Sequence, residues 1–334
     1  MKVLFATYPM AFHTPGGGEI QLLAYRKHLT RYCVDASLFD PWAPRFMDHD
    51  IVHFFSCVGG SVHFCQFVKQ LGLPLVVSPS LWITEQTKRL YPVDEICAQL
   101  ALADQVVANS DMECDTLSSV LGLPREKFAT VYNGVEKCFF EAADPELFRG
   151  HFNIDDRFIL NVGNIESRKN QLGLVRAMKG FPEWRLILIG HARSPEYLER
   201  VLFEGGGQVT YLGPLDHDSP LLRSAYKACE IFVLPSTLET PGLAALEAFA
   251  QNARLVVTRE GSCFEYFGNR ATYIDPMSVD SIQQGIKQAL EVHNSPDCDS
   301  ADDTYSWVNV VRRLPDVYRS VLAKAGLRTE VVEE

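Results

Sequence analysis

Residues 231–250 read IFVLPSTLETPGLAALEAFA. Four apolar residues, Ile231, Phe232, Val233 and Leu234, suffice for a buried strand but not for a helix. A loop punctuated by Pro235, Pro241 and Gly242 follows, then an Ala- and Leu-rich helical stretch over 242–250. This is one strand–loop–helix unit of a parallel sheet, whose strands are covered on both faces and read as unbroken apolar runs.

The same unit recurs on either side. Strand-like runs at 158–162, 185–189 and 209–211 alternate with helix-like runs at 171–178, 196–204 and 220–229. Beyond the opening stretch come a strand at 254–258 and a helix at 279–291. Earlier in the chain, strands are expected at 2–7, 34–39, 51–55, 75–78, 105–108 and 129–132. Helices are expected at 19–32, 61–71, 93–103 and 111–121. Residues 134–156, with Asn133-Gly134, several acidic residues and Pro145, read as a connection between the two halves. A polar stretch at 294–304 reads as a surface loop, 307–324 as a last helix, and the end as a short acidic tail. The expected fold is therefore α/β, with two doubly wound halves in series. A length of 334 residues fits two domains. In such sheets ligands bind beyond the carboxyl ends of the strands, and with two halves the cleft between them is the default site.

Composition excludes several classes. Hydrophobic residues make up 47% and charged residues 22%, which argues against a disordered or fibrous chain. The formal net charge of -11 disfavours general nucleic-acid binding, which needs a surplus of Lys and Arg. No apolar run approaches the ~20 residues of a membrane helix, and the five-residue apolar start lacks a cleavage signal. Nine irregularly spaced cysteines without a CxxC pair point to a reduced, cytoplasmic protein. His53, Cys57, His63 and Cys65 crowd one segment, but no pair has zinc-ligand spacing, so they read as core.

Three loops carry residue types suited to an anionic ligand. Gly16, Gly17 and Gly18 follow the first strand and open a helix, where unpaired amides and the helix dipole favour an anion. The spacing is not GxGxxG, because Gln21 stands at its last position, and a tight structural turn is the competing reading. Gly163, Asn164, Arg168 and Lys169 occupy the equivalent place in the second half. Adjacent cations beside a helix start suit a diphosphate, although a solvated charge pair has the same appearance. In the third loop, Glu239 precedes the 242–250 helix and Glu247 lies within it, among Ala244, Ala245, Leu246, Ala248 and Phe249. A carboxylate in so apolar a helix needs hydrogen-bond donors, and a ribose diol can supply two. Glu247 turned to solvent is the plainer alternative.

Glu239 and Glu247 form an E-x7-E pattern, and with it the chain resembles the family-4 retaining glycosyltransferases of GT-B fold. The likeness extends along nearly the whole sequence. Its elements are the Gly16–Gly18 loop, Asp50-Ile51-Val52-His53, Asn109-Ser110, Tyr132-Asn133-Gly134-Val135, the loop from Gly163 to Asn170, Leu212-Gly213-Pro214-Leu215, Glu265-Tyr266-Phe267-Gly268 and Tyr273-Ile274-Asp275-Pro276. The resemblance implies an acceptor-side Rossmann-like domain over 1–137, a nucleotide-sugar domain over 138–312, and a last helix at 313–325 packing back on the first. It implies metal-independent transfer, with retention, from a nucleotide-diphosphate sugar to a glycan, lipid-linked or small-molecule acceptor. No separate cofactor and no nucleic acid are expected, and contact with the inner face of a membrane would be peripheral. Lys169 and Arg168 would hold the diphosphate, Glu239 would meet the donor sugar, and Glu247 the ribose. Gly17, Gly18, Asn164, Leu215, Gly242 and Leu243 would line the donor.

This sequence departs from the family at three points. Asn164 stands where an Arg is usual, Ser80 where a His is usual, and Asn252 where a Gly usually ends the E-x7-E helix. The first two support an alternative, a non-catalytic GT-B subunit that binds nucleotide or a partner transferase. Glu239, Glu247 and Lys169 oppose it. A hydrolase, epimerase or phosphorylase on the same fold is a further alternative that fold alone does not separate.

Overall fold

The computed structural model describes residues 1–13, 15–291 and 303–327. Two compact units divide the chain: Met1–Gly134 together with the segment from Tyr305 onward, and Val135–Thr304.

The first unit holds a parallel six-stranded sheet: β1 (Lys2–Thr7), β2 (Asp35–Leu38), β3 (Ile51–Phe55), β4 (Leu75–Ser78), β5 (Gln105–Ala108) and β6 (Phe128–Thr130). Their order is β2-β1-β3-β4-β5-β6, so the winding direction reverses at β1. All five residues of β3 are buried, as a strand covered on both faces requires. The return of the chain to this unit at Tyr305 lies ahead of the boundary expected at 313. Trp307 there packs edge-on against Tyr25, with ring centroids 5.8 Å apart. Gly134 permits the approach, because a Cβ on it would lie 2.8 Å from the Tyr305 carbonyl oxygen.

The expected single helix over 307–324 is two, Trp307–Val311 and Leu314–Lys324. Pro315 lies in the first turn of the second, where its ring and missing N–H forbid continuation from the preceding turn. The second helix is fixed by Tyr318, whose hydroxyl lies 2.7 Å from His53 Nδ1. His53 Nε2 meets Ser78 Oγ at 2.8 Å.

The second unit holds β7 (Phe158–Val162), β8 (Arg185–Ile189), β9 (Val209–Tyr211), β10 (Ile231–Leu234), β11 (Arg254–Thr258) and β12 (Ala271–Ile274). The order is β12-β11-β10-β7-β8-β9, every pair is parallel, and the winding reverses at β7. Three elements were not expected. Residues 145–152 form a helix, Pro145–Phe152, rather than a connection: Asp144 caps it and Pro145 takes the first helical position, where a missing N–H costs nothing. β12, only partly buried at three of its four positions, and the five-residue helix Cys263–Phe267 were the other two. The expected loop at 294–304 lies outside the described residues up to 302, and the tail from 328 lies outside them entirely.

Candidate functional site

In an open parallel sheet the loops on either side of the reversal point run in opposite directions and leave a crevice at the carboxyl ends of the strands. In the second unit that point lies between β7 and β10. The two strands pair at Ile231 with Ile159 and at Phe232 with Leu160, then part. Asn161 fills the widening gap, its side-chain amide donating to the Val233 carbonyl at 2.7 Å. The loop after β7 carries Arg168 and Lys169, and the loop after β10 carries Glu239. Backbone bonds join them: Thr237 N donates to the Arg168 carbonyl at 2.9 Å.

Lys169 Nζ donates to Glu239 Oε1, and Arg168 Nη1 lies 3.7 Å from the same oxygen. The Glu239 side chain is only 7% exposed, so its charge depends on these partners. Burial acts to raise its pKa. The charges of Lys169 and then Arg168 outweigh that, and the carboxyl is held below its ordinary value. Gly242 makes room for this carboxylate: a Cβ there would lie 3.0 Å from Glu239 Oε2, and its φ of 86° suits glycine. Leu243 then opens the helix Leu243–Ala250. Asn252 ends it in the left-handed conformation, φ 59°, that the residue after a helix often takes.

Glu247, in the middle of that helix, is 3% exposed and does not turn to solvent. Its Oε1 lies 2.7 Å from His217 Nε2, and its Oε2 accepts from the Tyr226 hydroxyl at 2.6 Å. His217 lies two residues past Leu215, in the loop between β9 and the helix Pro220–Ala228, so the half-buried Leu215 and Glu247 share one corner of the unit. Burial would lower the His217 pKa, but the hydrogen bond and charge of Glu247 overcome it and raise the imidazole to about 9.

Asn164 lies in the loop after β7. With its amide oxygen facing Arg193, it accepts from Nε at 3.0 Å and Nη2 at 3.2 Å. Its backbone carbonyl accepts from Gln171 Nε2 at 3.0 Å. Of the residues singled out in the sequence, Arg168, Lys169, Glu239, Gly242 and Leu243 converge on the crevice, with Asn164 on its β7 loop. Glu247, one turn further along the Leu243–Ala250 helix, is held by His217 and Tyr226, with Leu215 two residues from His217. Gly17 and Gly18 belong to the first unit, where they begin the helix Gly17–Leu29 after the reversal strand β1. A Cβ at Gly18 would meet nothing within 4 Å. Ser80, also in the first unit, has φ 46° and donates from Oγ to Gln21 Oε1 at 3.1 Å.

Sequence reasoning did not find Glu166, Arg193, His217 and Tyr226. Arg193 meets Glu166 from 27 residues away, and Tyr226 and His217 meet Glu247 from 21 and 30 residues away, so no local spacing announces these pairs. Among the described residues no group of three or more His, Cys, Asp or Glu is placed to hold a metal ion.

Residues 144–298 match the family described as glycosyl transferases group 1, and residues 13–137 match glycosyltransferase family 4. An uncharacterized glycosyltransferase of Methanocaldococcus jannaschii is 27% identical over 243 residues, 66% of this chain and 61% of that protein. The D-inositol 3-phosphate glycosyltransferase of Mycobacterium tuberculosis is 29% identical over 168 residues, 48% of this chain and 35% of that one. Among solved structures, the sucrose-phosphate synthase of Thermosynechococcus elongatus superposes with a TM-score of 0.78 at 18% identity, covering 97% of this chain and all of that one (100%). The Anabaena protein HepE, solved with UDP and glucose, gives 0.75 at 16% identity, covering 96% and 100%. These likenesses identify the two doubly wound sheets as the GT-B fold. The two glycosyltransferase family matches together run from residue 13 to residue 298, broken only between 137 and 144, the family 4 match in the first unit and the group 1 match in the second.

Proposed function

We propose that this protein is a retaining glycosyltransferase. It takes a nucleotide-diphosphate sugar as donor, uses no metal or other cofactor, and passes the sugar to a glycan, a lipid-linked saccharide or a small molecule. The observation that carries the reading is the meeting of Lys169 and Arg168 with the buried Glu239 at the reversal point of the second sheet. Cations fixed there supply the counter-charge that a departing diphosphate develops, in a place already poor in water. Backbone amides of Gly242 and Leu243, at the start of an eight-residue helix, add to it. The UDP found with the HepE structure agrees with a donor of this class.

In this reading Lys169 and Arg168 exchange part of their contact with Glu239 for the donor phosphates. Glu239 is thereby released to hold the donor sugar beside its anomeric carbon. The bond from that carbon to the diphosphate oxygen breaks, and a bond to the acceptor oxygen forms on the same face. The acceptor's hydroxyl proton passes to the departing phosphate oxygen, so no enzyme nucleophile is used up. Glu247 accepts from the ribose hydroxyls in place of, or beside, His217 and Tyr226. Asn164 and Leu215 complete the donor's surroundings within the second unit. The eight described cysteines are all free thiols, which suits a reducing cytoplasm. Among the described residues no helix is long and apolar enough to cross a membrane, and a lipid-linked acceptor would be met at its inner face.

The test is a thermal-shift screen with UDP-, GDP-, ADP- and dTDP-sugars in chelator, followed by NMR of the product's anomeric configuration. A raised midpoint with one donor and a retained configuration are expected. No shift with any of them, or an inverted product, overturns the reading. Binding without transfer to any acceptor class would favour the non-catalytic subunit, for which Asn164 is the best argument.

A further inference from the structure

The loops after β7 and β8 are zipped together. Gly163 N donates to the Ile189 carbonyl at 2.9 Å and Ile165 N to the His191 carbonyl at 2.8 Å. Gly190 permits it, since a Cβ there would lie 2.0 Å from the Gly163 carbonyl oxygen. The zipper delivers Arg193, the residue just before the Ser194 cap of the helix Pro195–Gly205, to the side of the β7 loop. Its guanidinium meets the Asn164 amide oxygen, and Nη1 lies 3.4 Å from Glu166 Oε2. The other Glu166 oxygen lies 3.0 Å from Arg168 Nη2. The charges therefore alternate along a ladder: Arg193, Glu166, Arg168, Glu239, Lys169.

This ladder holds three cations and two carboxylates. The two guanidiniums are the more open, with Arg193 31% and Arg168 42% exposed, against 19% for Glu166, 12% for Lys169 and 7% for Glu239. The arginines thus stand forward of their counter-ions, with Lys169 set deeper beside Glu239. Asn164 matters through its neutrality: an amide oxygen orients a guanidinium without cancelling its charge, which a carboxylate there would do.

We propose that Arg193 is a third cation for the donor diphosphate, held in place by the Asn164 amide and by Glu166. The inference rests on the donor reading above and adds a residue from a different loop. It predicts that phosphate recognition, rather than nucleoside recognition, depends on Arg193.

The experiment uses whichever of UDP, GDP, ADP and dTDP the wild-type chain binds, together with the matching nucleoside. Calorimetry on the full chain should show Arg193→Ala weakening the diphosphate on the order of 10-fold, with the nucleoside unchanged. Arg193→Lys should keep most of the affinity. The double variant Asn164→Arg, Arg193→Ala should recover it, because the charge is restored from the neighbouring position. Unchanged diphosphate affinity in Arg193→Ala overturns the proposal. So does an equal loss for the nucleoside, or a loss that the double variant leaves unrepaired. If the wild type binds no nucleoside diphosphate, the donor reading fails and this inference with it. If Lys169→Ala loses the ligand and Arg193→Ala does not, only the role of Arg193 is refuted.

Discussion

Glu247 Oε1 and His217 Nε2 lie 2.7 Å apart, so the carboxylate read for a ribose diol is already held by an imidazole. Tyr226 holds its other oxygen. A buried carboxyl with one imidazole and one hydroxyl partner is held in one orientation, facing a diol that would approach past His217, the half-exposed member. Replacing Glu247 by Ala should weaken nucleotide by at least about 100-fold, the loss expected when two hydrogen bonds to a charged group, each about 1.5–3 kcal/mol, go. It should leave His217 without its partner. Titration calorimetry with the nucleoside diphosphate checks the first effect. Equal affinity in the variant would remove Glu247 from the donor site.

His217 also makes stability depend on pH, with a defined sign. Its pKa is raised from 6.5 to about 9 in the folded chain. The groups facing it are Glu247, the exposed Asp218 at 3.7 Å and the ring of Phe139. A raised pKa means the folded state binds the proton more tightly, so the contribution is complete below pH 6.5 and lost between there and pH 9. The interval corresponds to a contribution on the order of 3 kcal/mol. Thermal midpoints of wild type and His217→Gln, measured from pH 6 to pH 9.5, should converge as pH rises. A constant difference would refute the linkage.

The opposite slope comes from His53. Burial lowers its pKa from 6.5 to about 3, so the folded state keeps it neutral between Tyr318 and Ser78. Its contribution is complete above pH 6.5 and falls away as pH drops toward 3, because the unfolded chain takes up a proton that the folded chain refuses. Tyr318→Phe should cost about 1–2 kcal/mol at pH 7, by leaving a buried imidazole nitrogen unpaired. Urea unfolding at pH 7 and pH 5 checks both statements, and a wild type equally stable at the two values would contradict the second.

Lys169 and Glu239 are separable by kinetics. In the proposed reading Lys169→Ala removes a cation from the diphosphate, and it leaves Glu239 buried beside Arg168, so both nucleotide affinity and turnover should fall. The loss of transition-state stabilisation should be about 2–4 kcal/mol. Glu239→Gln keeps the shape and frees Lys169, so nucleotide affinity should hold or rise while turnover falls at least ~100-fold. Matching losses of affinity in both variants would mean that Glu239 merely braces Lys169.

The fold was legible where strands are buried on both faces. Runs such as 51–55, 158–162 and 231–234 have the bounds of their strands, because burial on two sides demands uninterrupted apolar residues. It was not legible at Pro145, where one residue type signals either a break or a helix start and only the Asp144 cap decides. Nor was it legible at β12, whose first three residues are only partly buried. In the site, Arg168, Lys169 and Glu239 stood out because each sits where a strand ends. Arg193 and His217 did not, because their importance arises from partners 27 and 30 residues away that only the folded sheet brings near.

The position of Glu239 depends on a residue with no side chain. Gly261 lies opposite it, bridged in parallel, with Ser262 N donating to the Glu239 carbonyl at 3.0 Å and Glu239 N to the Glu260 carbonyl at 3.2 Å. Gly261 has φ 112°, and a Cβ on it would lie 1.8 Å from the Glu239 carbonyl oxygen. Backbone cannot swing aside as a side-chain tip can, so Gly261→Ala must push the 239 loop away from Lys169. The strain and lost bonds should cost about 2–4 kcal/mol. Turnover should fall with stability, because the carboxylate is displaced by the same movement. Gly150→Ala is the control: it lies inside the helix Pro145–Phe152 with nothing within 4 Å of the new Cβ. There alanine should raise stability by about 0.5–1 kcal/mol and leave turnover alone. Thermal unfolding and initial rates on both variants decide the matter. A Gly261→Ala protein with wild-type midpoint and rate would show that the loop tolerates the methyl group and that Glu239 is positioned by Lys169 alone.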